Sequence, residues 1–372
     1  MREAAPELGL LAGARRILVS RLRFLGDLVL VTPLLRALRE LVPEARLSFL
    51  AEDRYGELLR GHPDLDELWL VPRQAAGPVE ALRAQRALVG RLRAARFEVV
   101  LDLFANPRSA LLARATGAGV RVGGAHGLRG HLFTHHPRHE PGAASAVDYH
   151  LAHLRALGVE HPPRHTPRLP LREEEEARAA RWLRAQAGDL AAPLVGLHPG
   201  ATWRGKRWPA ERFGEVAARL AGNWGARVVV THGPGEEERA AVVARAGGAR
   251  TSVLPVLGWR ELAAVLSLLD LYLANDCGPM HVAAATGTPT VGIFGPSDPA
   301  IWFPYPRGEG HRAVDMPLPC RPCSAEHCGD RDCLGVLQVA EVMSALEEAR
   351  GARGAWGEKA ERRLRLSAVH GK

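Results

Sequence analysis

The chain has 372 residues, a mass of 40.2 kDa and a formal net charge of +8 at pH 7, with 47% hydrophobic and 5% aromatic residues. That length suits two α/β domains of ordinary size, and no run of 18 apolar residues points to a membrane-spanning helix. Residues 1–170 hold 24 Lys/Arg against 17 Asp/Glu, and 10 of the 16 histidines, so this half either attracts an anionic partner or presents a solvated Arg-rich face.

Residues 8–14 are too short an apolar run for a secretion signal and follow an acidic start. A cytoplasmic protein is expected, peripheral on the cytoplasmic face of the inner membrane, with its five cysteines as thiols unless a metal holds them. Strands are predicted over residues 16–20, 46–50, 67–71 and 97–103, alternating with helices over 27–42, 55–60 and 80–95. That alternation predicts a doubly wound parallel sheet in a domain of residues 1–171, closed by the proline-rich stretch 161–170. A second α/β domain, 172–350, takes strands over 194–198, 227–231 and 271–274 and helices over 173–186, 213–221, 237–246 and 262–268. Its last helix, 335–349, is expected to pack back on the first domain, and residues 351–372 to form a mobile basic tail.

Residues 273–295 read as strand, polar turn, short Ala-rich helix and second apolar strand. This order places Asp276, Cys277, Gly278 and His281 at the carboxyl end of a strand and on the next helical turn, where open α/β sheets bind ligands. Main-chain N–H groups at a helix start attract anions, and Pro279 fits the first turn, so a phosphate-bearing ligand is expected; an ordinary capped helix is the alternative.

Three further clusters follow strands. Gly26 permits close approach of the main chain, and Asp27 is either a helix cap or an exposed general base. A lone glycine argues against a nicotinamide-dinucleotide site. Thr202, Arg204, Lys206 and Arg207 offer a hydroxyl and fixed cations for a diphosphate, or form a basic surface loop, while Trp203 and Trp208 read as packing anchors. Glu236, in a Gly-rich turn, either accepts from ribose hydroxyls or decorates a helix start. Cys320, Cys323, Cys328 and Cys333 match a structural zinc site in number but are closely spaced, so free or redox-active thiols are the other reading.

Together these pieces resemble the ADP-heptose-dependent heptosyltransferases of glycosyltransferase family 9. Residues 21–38 resemble the family's amino-terminal signature, Asn275 to His281 its nucleotide-site signature, and Gly295 to Pro299 with Trp302, Pro304 and Tyr305 the segment that follows; the cysteine cluster also looks like one found in many members. The resemblance covers about residues 15–350 and implies a GT-B architecture, two Rossmann-like domains facing a cleft. It implies an ADP-heptose donor, an anionic lipid A–core acceptor at the inner membrane, and no required cofactor; the zinc reading of the four cysteines rests on their number alone. Asp27 would be the catalytic base. Thr202 and Lys206 would hold the donor phosphates, Lys206 also acting in catalysis, Glu236 would hold the ribose, and Asp276, Cys277, Gly278 and His281 would meet the nucleotide and its phosphates. Cys277 stands where the family usually has Ser or Thr, and Arg23-Phe24 replaces a small, Ser-rich pair, which bears on acceptor identity. Neither nucleic acid nor a stable protein partner is expected, because the basic residues are not interleaved with an aromatic platform. A sugar-nucleotide epimerase or hydrolase, or a non-catalytic binding protein, are the competing readings.

Overall fold

The computed structural model describes residues 8–72, 77–140, 145–316, 334–352 and 357–368. The chain divides into two compact units, Met1–Pro167 and Arg168–Lys372, the division falling inside the proline-rich stretch.

In the first unit, β1 (Arg16–Ser20), β2 (Arg46–Glu52), β3 (Glu67–Val71), β4 (Val99–Asp102) and β5 (Val120–Gly123) form an all-parallel sheet in the order β3-β2-β1-β4-β5. Ile17, Leu18 and Val19 of β1 and Val99, Val100 and Leu101 of β4 are buried on both faces, as central parallel strands require. Ser20 and Asp102 are register partners at the carboxyl ends of these strands. The helix expected over 27–42 is two helices, Leu25–Leu30 and Thr32–Leu41. Pro33 has no N–H to give to the Val29 carbonyl, which takes the Thr32 hydroxyl instead at 2.8 Å. Helices Pro107–Ala115 and Ala146–Arg155, unread in the sequence, complete the unit.

In the second unit, β6 (Leu194–His198), β7 (Arg227–Val230), β8 (Thr251–Val253), β9 (Leu271–Asn275), β10 (Thr290–Phe294) and β11 (Arg312–Asp315) form a second parallel sheet, ordered β11-β10-β9-β6-β7-β8. Trp208 and Phe213 fill its core beside Leu273 and Ile293, and the Trp208 indole donates to the Leu337 carbonyl at 3.1 Å. Trp203 is not such an anchor: it stays 37% exposed.

One expectation about the carboxyl terminus, the mobile tail, needs correction. The helix Val339–Gly351 packs on β9, β10 and β11 of its own unit and sends Val342 and Leu346 into that core. Residues 357–368 are not a loose tail but a helix, Gly357–Ala368, lying on the helix Glu173–Ala187. The Arg363 guanidinium is fully buried. It pairs with Asp270 at 2.9 Å and donates to the carbonyls of Leu190, Leu268 and Ala192, and so meets the condition for burying a cation. Among the described residues no helix is long and apolar enough to cross a membrane.

Candidate active site

In the second unit, β6, β7, β9 and β10 end on one side of the sheet, and their following loops carry the expected donor residues. Asn275, the last residue of β9, ties two of these loops together. Its amide donates to the carbonyls of Pro199 and Gly200 at 2.9 and 3.3 Å, and its oxygen accepts from the Trp208 N–H at 3.1 Å. The loop bearing Thr202 and Lys206 is thereby fastened to the end of the strand that presents Asp276. Gly295 lets the chain after β10 approach the same loop, since a Cβ there would lie 2.8 Å from the Gly205 carbonyl.

Lys206 and Asp276 pair at 2.6 Å, with the ammonium also 4.9 Å from the centre of the Trp203 ring. The Ser297 hydroxyl donates to the same carboxylate oxygen. Asp276 is buried, so its charge is compensated locally, by the ammonium and the hydroxyl. Cys277 is the N-cap of the helix Gly278–Ala285, which makes no side-chain cap bond and has Pro279 in its first turn. The first-turn amides have no helical partners, which is the condition for receiving an anion. Burial pushes the Cys277 thiol up, so it stays protonated and is a weak donor beside its own main-chain N–H.

Glu236 sits across the turn after β7, accepting from the Gly233 N–H at 2.8 Å, with His198 Nε2 at 3.7 Å from the same oxygen. A methyl group on Gly200 would overlap this carboxylate, so the glycine makes room for it. Burial lowers His198 to about 4, outweighing the pull of Glu236, and its Nδ1 meets the Thr231 hydroxyl at 3.0 Å. Thr202 is exposed on the Lys206 loop, which Arg207 braces by donating to the Ala201 carbonyl at 2.7 Å. His281 stands apart from this group: it is 4% exposed, and its Nδ1 lies 3.2 Å from the Tyr305 hydroxyl.

In the first unit, Asp27 occupies the third position of the helix Leu25–Leu30, beyond the carboxyl end of β1. One oxygen accepts from the Phe24 N–H at 3.0 Å and the other from Arg21 Nη2 at 2.5 Å. Arg21 is itself fixed, donating to the Leu103 carbonyl at 2.7 Å and stacking on Phe104 at 4.8 Å. Asp27 therefore caps its helix and also holds an oriented carboxylate whose side chain is 14% exposed; the two readings of the sequence are compatible. Beneath it, burial raises the Asp102 carboxyl to about 6 against the hydrogen bonds and the Arg21 charge that favour ionisation.

Sequence reasoning gave no role to Arg21, Asn275 or Ser297. Each acts through a partner many residues away or through a loop junction, and only the position of Asn275 beside Asp276 offered a signal. Among the described residues no group of three or more His, Cys, Asp or Glu side chains could hold a metal ion, and the four clustered cysteines lie outside those residues.

The profile of glycosyltransferase family 9 (heptosyltransferase) matches residues 85–332. The chain belongs to this family. Lipopolysaccharide heptosyltransferase 3 of Escherichia coli K12 is 28% identical over 294 residues, 76% of this chain and 83% of that protein. The family 9 glycosyl transferase of Veillonella parvula superposes with a TM-score of 0.76 at 26% identity, covering 93% of this chain and 99% of that one. The ADP-heptose lipopolysaccharide heptosyltransferase II of Escherichia coli gives 0.75 at 22% identity over 91% and 100%, a likeness of fold. Two Rossmann-like parallel-sheet units of GT-B type are thus shared with family 9 members, as the sequence resemblance implied.

Proposed function

We propose that this family 9 glycosyltransferase transfers heptose, with inversion, from ADP-L-glycero-D-manno-heptose to a hydroxyl of a lipopolysaccharide inner-core acceptor. The observation that carries the donor half is the Lys206–Asp276 pair at 2.6 Å beside the start of the helix Gly278–Ala285, whose first-turn amides have no helical acceptors. A diphosphate leaving group gains negative charge as the anomeric C–O bond breaks, and a fixed ammonium with preoriented N–H groups stabilises that change most in the transition state. Lys206 supplies the ammonium, while Thr202 and the main chain at Cys277 and Gly278 supply further donors. Glu236 accepts from the ribose hydroxyls. Asp276 orients Lys206, and His281, held by Tyr305, braces the helix whose first turn receives the phosphates.

Asp27 acts as the base. It accepts the acceptor hydroxyl's proton as that oxygen attacks the anomeric carbon from the face opposite ADP. Each of its oxygens keeps a lone pair beyond the bonds to Arg21 and Phe24. In this reading Lys206, not a metal ion, offsets the charge on the leaving diphosphate; loss of turnover on adding chelator to metal-free folded protein would contradict it. The acceptor is borne on lipid A, so the reaction belongs at the cytoplasmic face of the inner membrane, with the protein peripheral there. The excess of basic residues in the first unit supports this placement.

The deciding experiment incubates the protein with several nucleotide sugars and defined truncated core lipids and reads products by intact mass. A gain of one heptose with ADP-heptose is expected. Hydrolysis or epimerisation without acceptor would replace this reading, and donor binding without product across the acceptors would make the chain a binding protein.

A further inference from the structure

We infer that one face of the first unit is a docking surface for an anionic phospholipid bilayer, formed by the helix Pro78–Ala94, the helix Pro107–Ala115 and the turn Gly127–Leu132. The helix Pro107–Ala115 packs against both of the others, so the three make one continuous surface. Each carries an outward apolar side chain. Leu82 is 51% exposed, Leu111 60% and Leu128 88%, where burial in a core would be the ordinary fate of leucine.

The charge around these leucines is one-sided. The three segments contain seven arginines and a single acidic residue, Glu80. On the first helix, Leu82, Arg83 and Arg86 share the face opposite the buried Leu88 and Leu92. On the second, Leu111 stands one turn from both Arg108 and Arg114, opposite the buried Ala110 and Ala113. Leu128 precedes Arg129 at the turn. Arg91 stacks on Trp69 and Arg108 donates to the Pro72 carbonyl, but Arg83, Arg86 and Arg114 are exposed. Apolar side chains that enter the headgroup boundary, ringed by guanidinium groups that meet lipid phosphates, are the chemistry of interfacial binding. A second copy of the chain would set arginine against arginine.

Placement strengthens the case. The sheet is parallel, so the turn that follows β5 and the start of the helix that follows β4 lie at the same sheet end as Asp27, beyond β1. The surface therefore borders the end that carries the base. The choice of a bilayer as occupant rests on the reading of a lipid-borne acceptor given above, and the test separates the two.

The whole chain and the variant Leu82→Glu, Leu128→Glu are sedimented with vesicles of phosphatidylcholine and phosphatidylglycerol, and with vesicles of phosphatidylcholine alone. Both positions are more than half exposed, so the fold tolerates the change. The inference expects binding to the anionic vesicles only, lost with added salt, and weakened about tenfold or more in the variant. ADP binding and transfer to a detergent-dispersed acceptor should stay within about twofold of the unaltered protein, as expected of surface changes away from the site. Equal sedimentation of the two proteins, equal binding to neutral vesicles, or duplex DNA binding that the same substitutions abolish would each overturn the assignment. Vesicle binding that behaves as expected in a protein that transfers no sugar would instead defeat the transfer reading and leave the surface standing.

Discussion

Lys206 and Asp276, 70 residues apart in the chain, meet at 2.6 Å because Asn275 fastens the loop of one to the strand end of the other. The pair holds the ammonium in place before any donor arrives, which is what preorganised stabilisation of a leaving group requires. Lys206→Ala should lower kcat by about 100-fold, the usual cost of one such contact in the transition state. The variant should still fold, with a lowered melting temperature, because the buried Asp276 carboxylate keeps only the Ser297 hydroxyl. A variant that retains turnover would remove Lys206 from the chemistry.

Arg21 fixes the carboxylate proposed as base through one nitrogen while its other holds the Leu103 carbonyl. A lysine cannot span both. Arg21→Lys should therefore reduce kcat by roughly tenfold with ADP affinity unchanged, and Asp27→Asn should reduce it by at least about 100-fold. Near-normal turnover in Asp27→Asn, with donor binding intact, would end its assignment.

Gly200 is small because the Glu236 carboxylate occupies the space a side chain would need. In Gly200→Ala the carboxylate must move, and ADP affinity should fall by about tenfold, the cost of a hydrogen bond to a charged group. Calorimetric titration checks this against Glu236→Gln, which should show a loss of similar size. An unchanged affinity in Gly200→Ala would place the ribose elsewhere.

Two kinds of buried titratable group give the first unit opposed responses to pH. Burial lowers His150 to about 3, helped by the charge of Arg21, and lowers His153 to about 4. Both are neutral in the fold, so their stability is complete above an unfolded value near 6.5 and is lost as pH falls through those lower values. Asp102 runs the other way. Its folded value of about 6 exceeds the ordinary 3.8, so its contribution is complete below 3.8 and is lost as pH rises through 6. Asp102→Asn should thus melt higher than the unaltered protein at about pH 8, by up to about 3 kcal/mol of stability, with the advantage gone by about pH 4. A difference between the two that does not vary with pH would show that burial does not raise the Asp102 carboxyl.

Arg363 pins the last described helix through Asp270 and three carbonyls. Arg363→Met leaves the buried carboxylate without that partner and should cost about 3–5 kcal/mol in chemical denaturation. A midpoint that does not move would mean the helix contributes nothing to the stability of its unit.

The central strands are legible in the amino-acid sequence, because β1, β4, β6 and β9 are buried on both faces and must be written as unbroken apolar runs. The residue types of the proposed donor site are also legible there, since binding a phosphate would call for cations and helix starts directly after strands. Three of the four edge strands, β5, β8 and β11, escaped that reading: they are short and half exposed, so no continuous apolar signal marks them. The terminal helix looked like a loose basic tail for a related reason. Its charges read as solvated until the fold brought Asp270, Glu176 and the carbonyls of Leu190, Ala192 and Leu268 to Arg362 and Arg363. Tertiary structure alone decided which polar group holds which. Arg21 finds Asp27 and the Leu103 carbonyl, Ser297 finds Asp276, and Asn275 finds the Lys206 loop, because a hydrogen bond depends on distance in space and leaves no period in the chain.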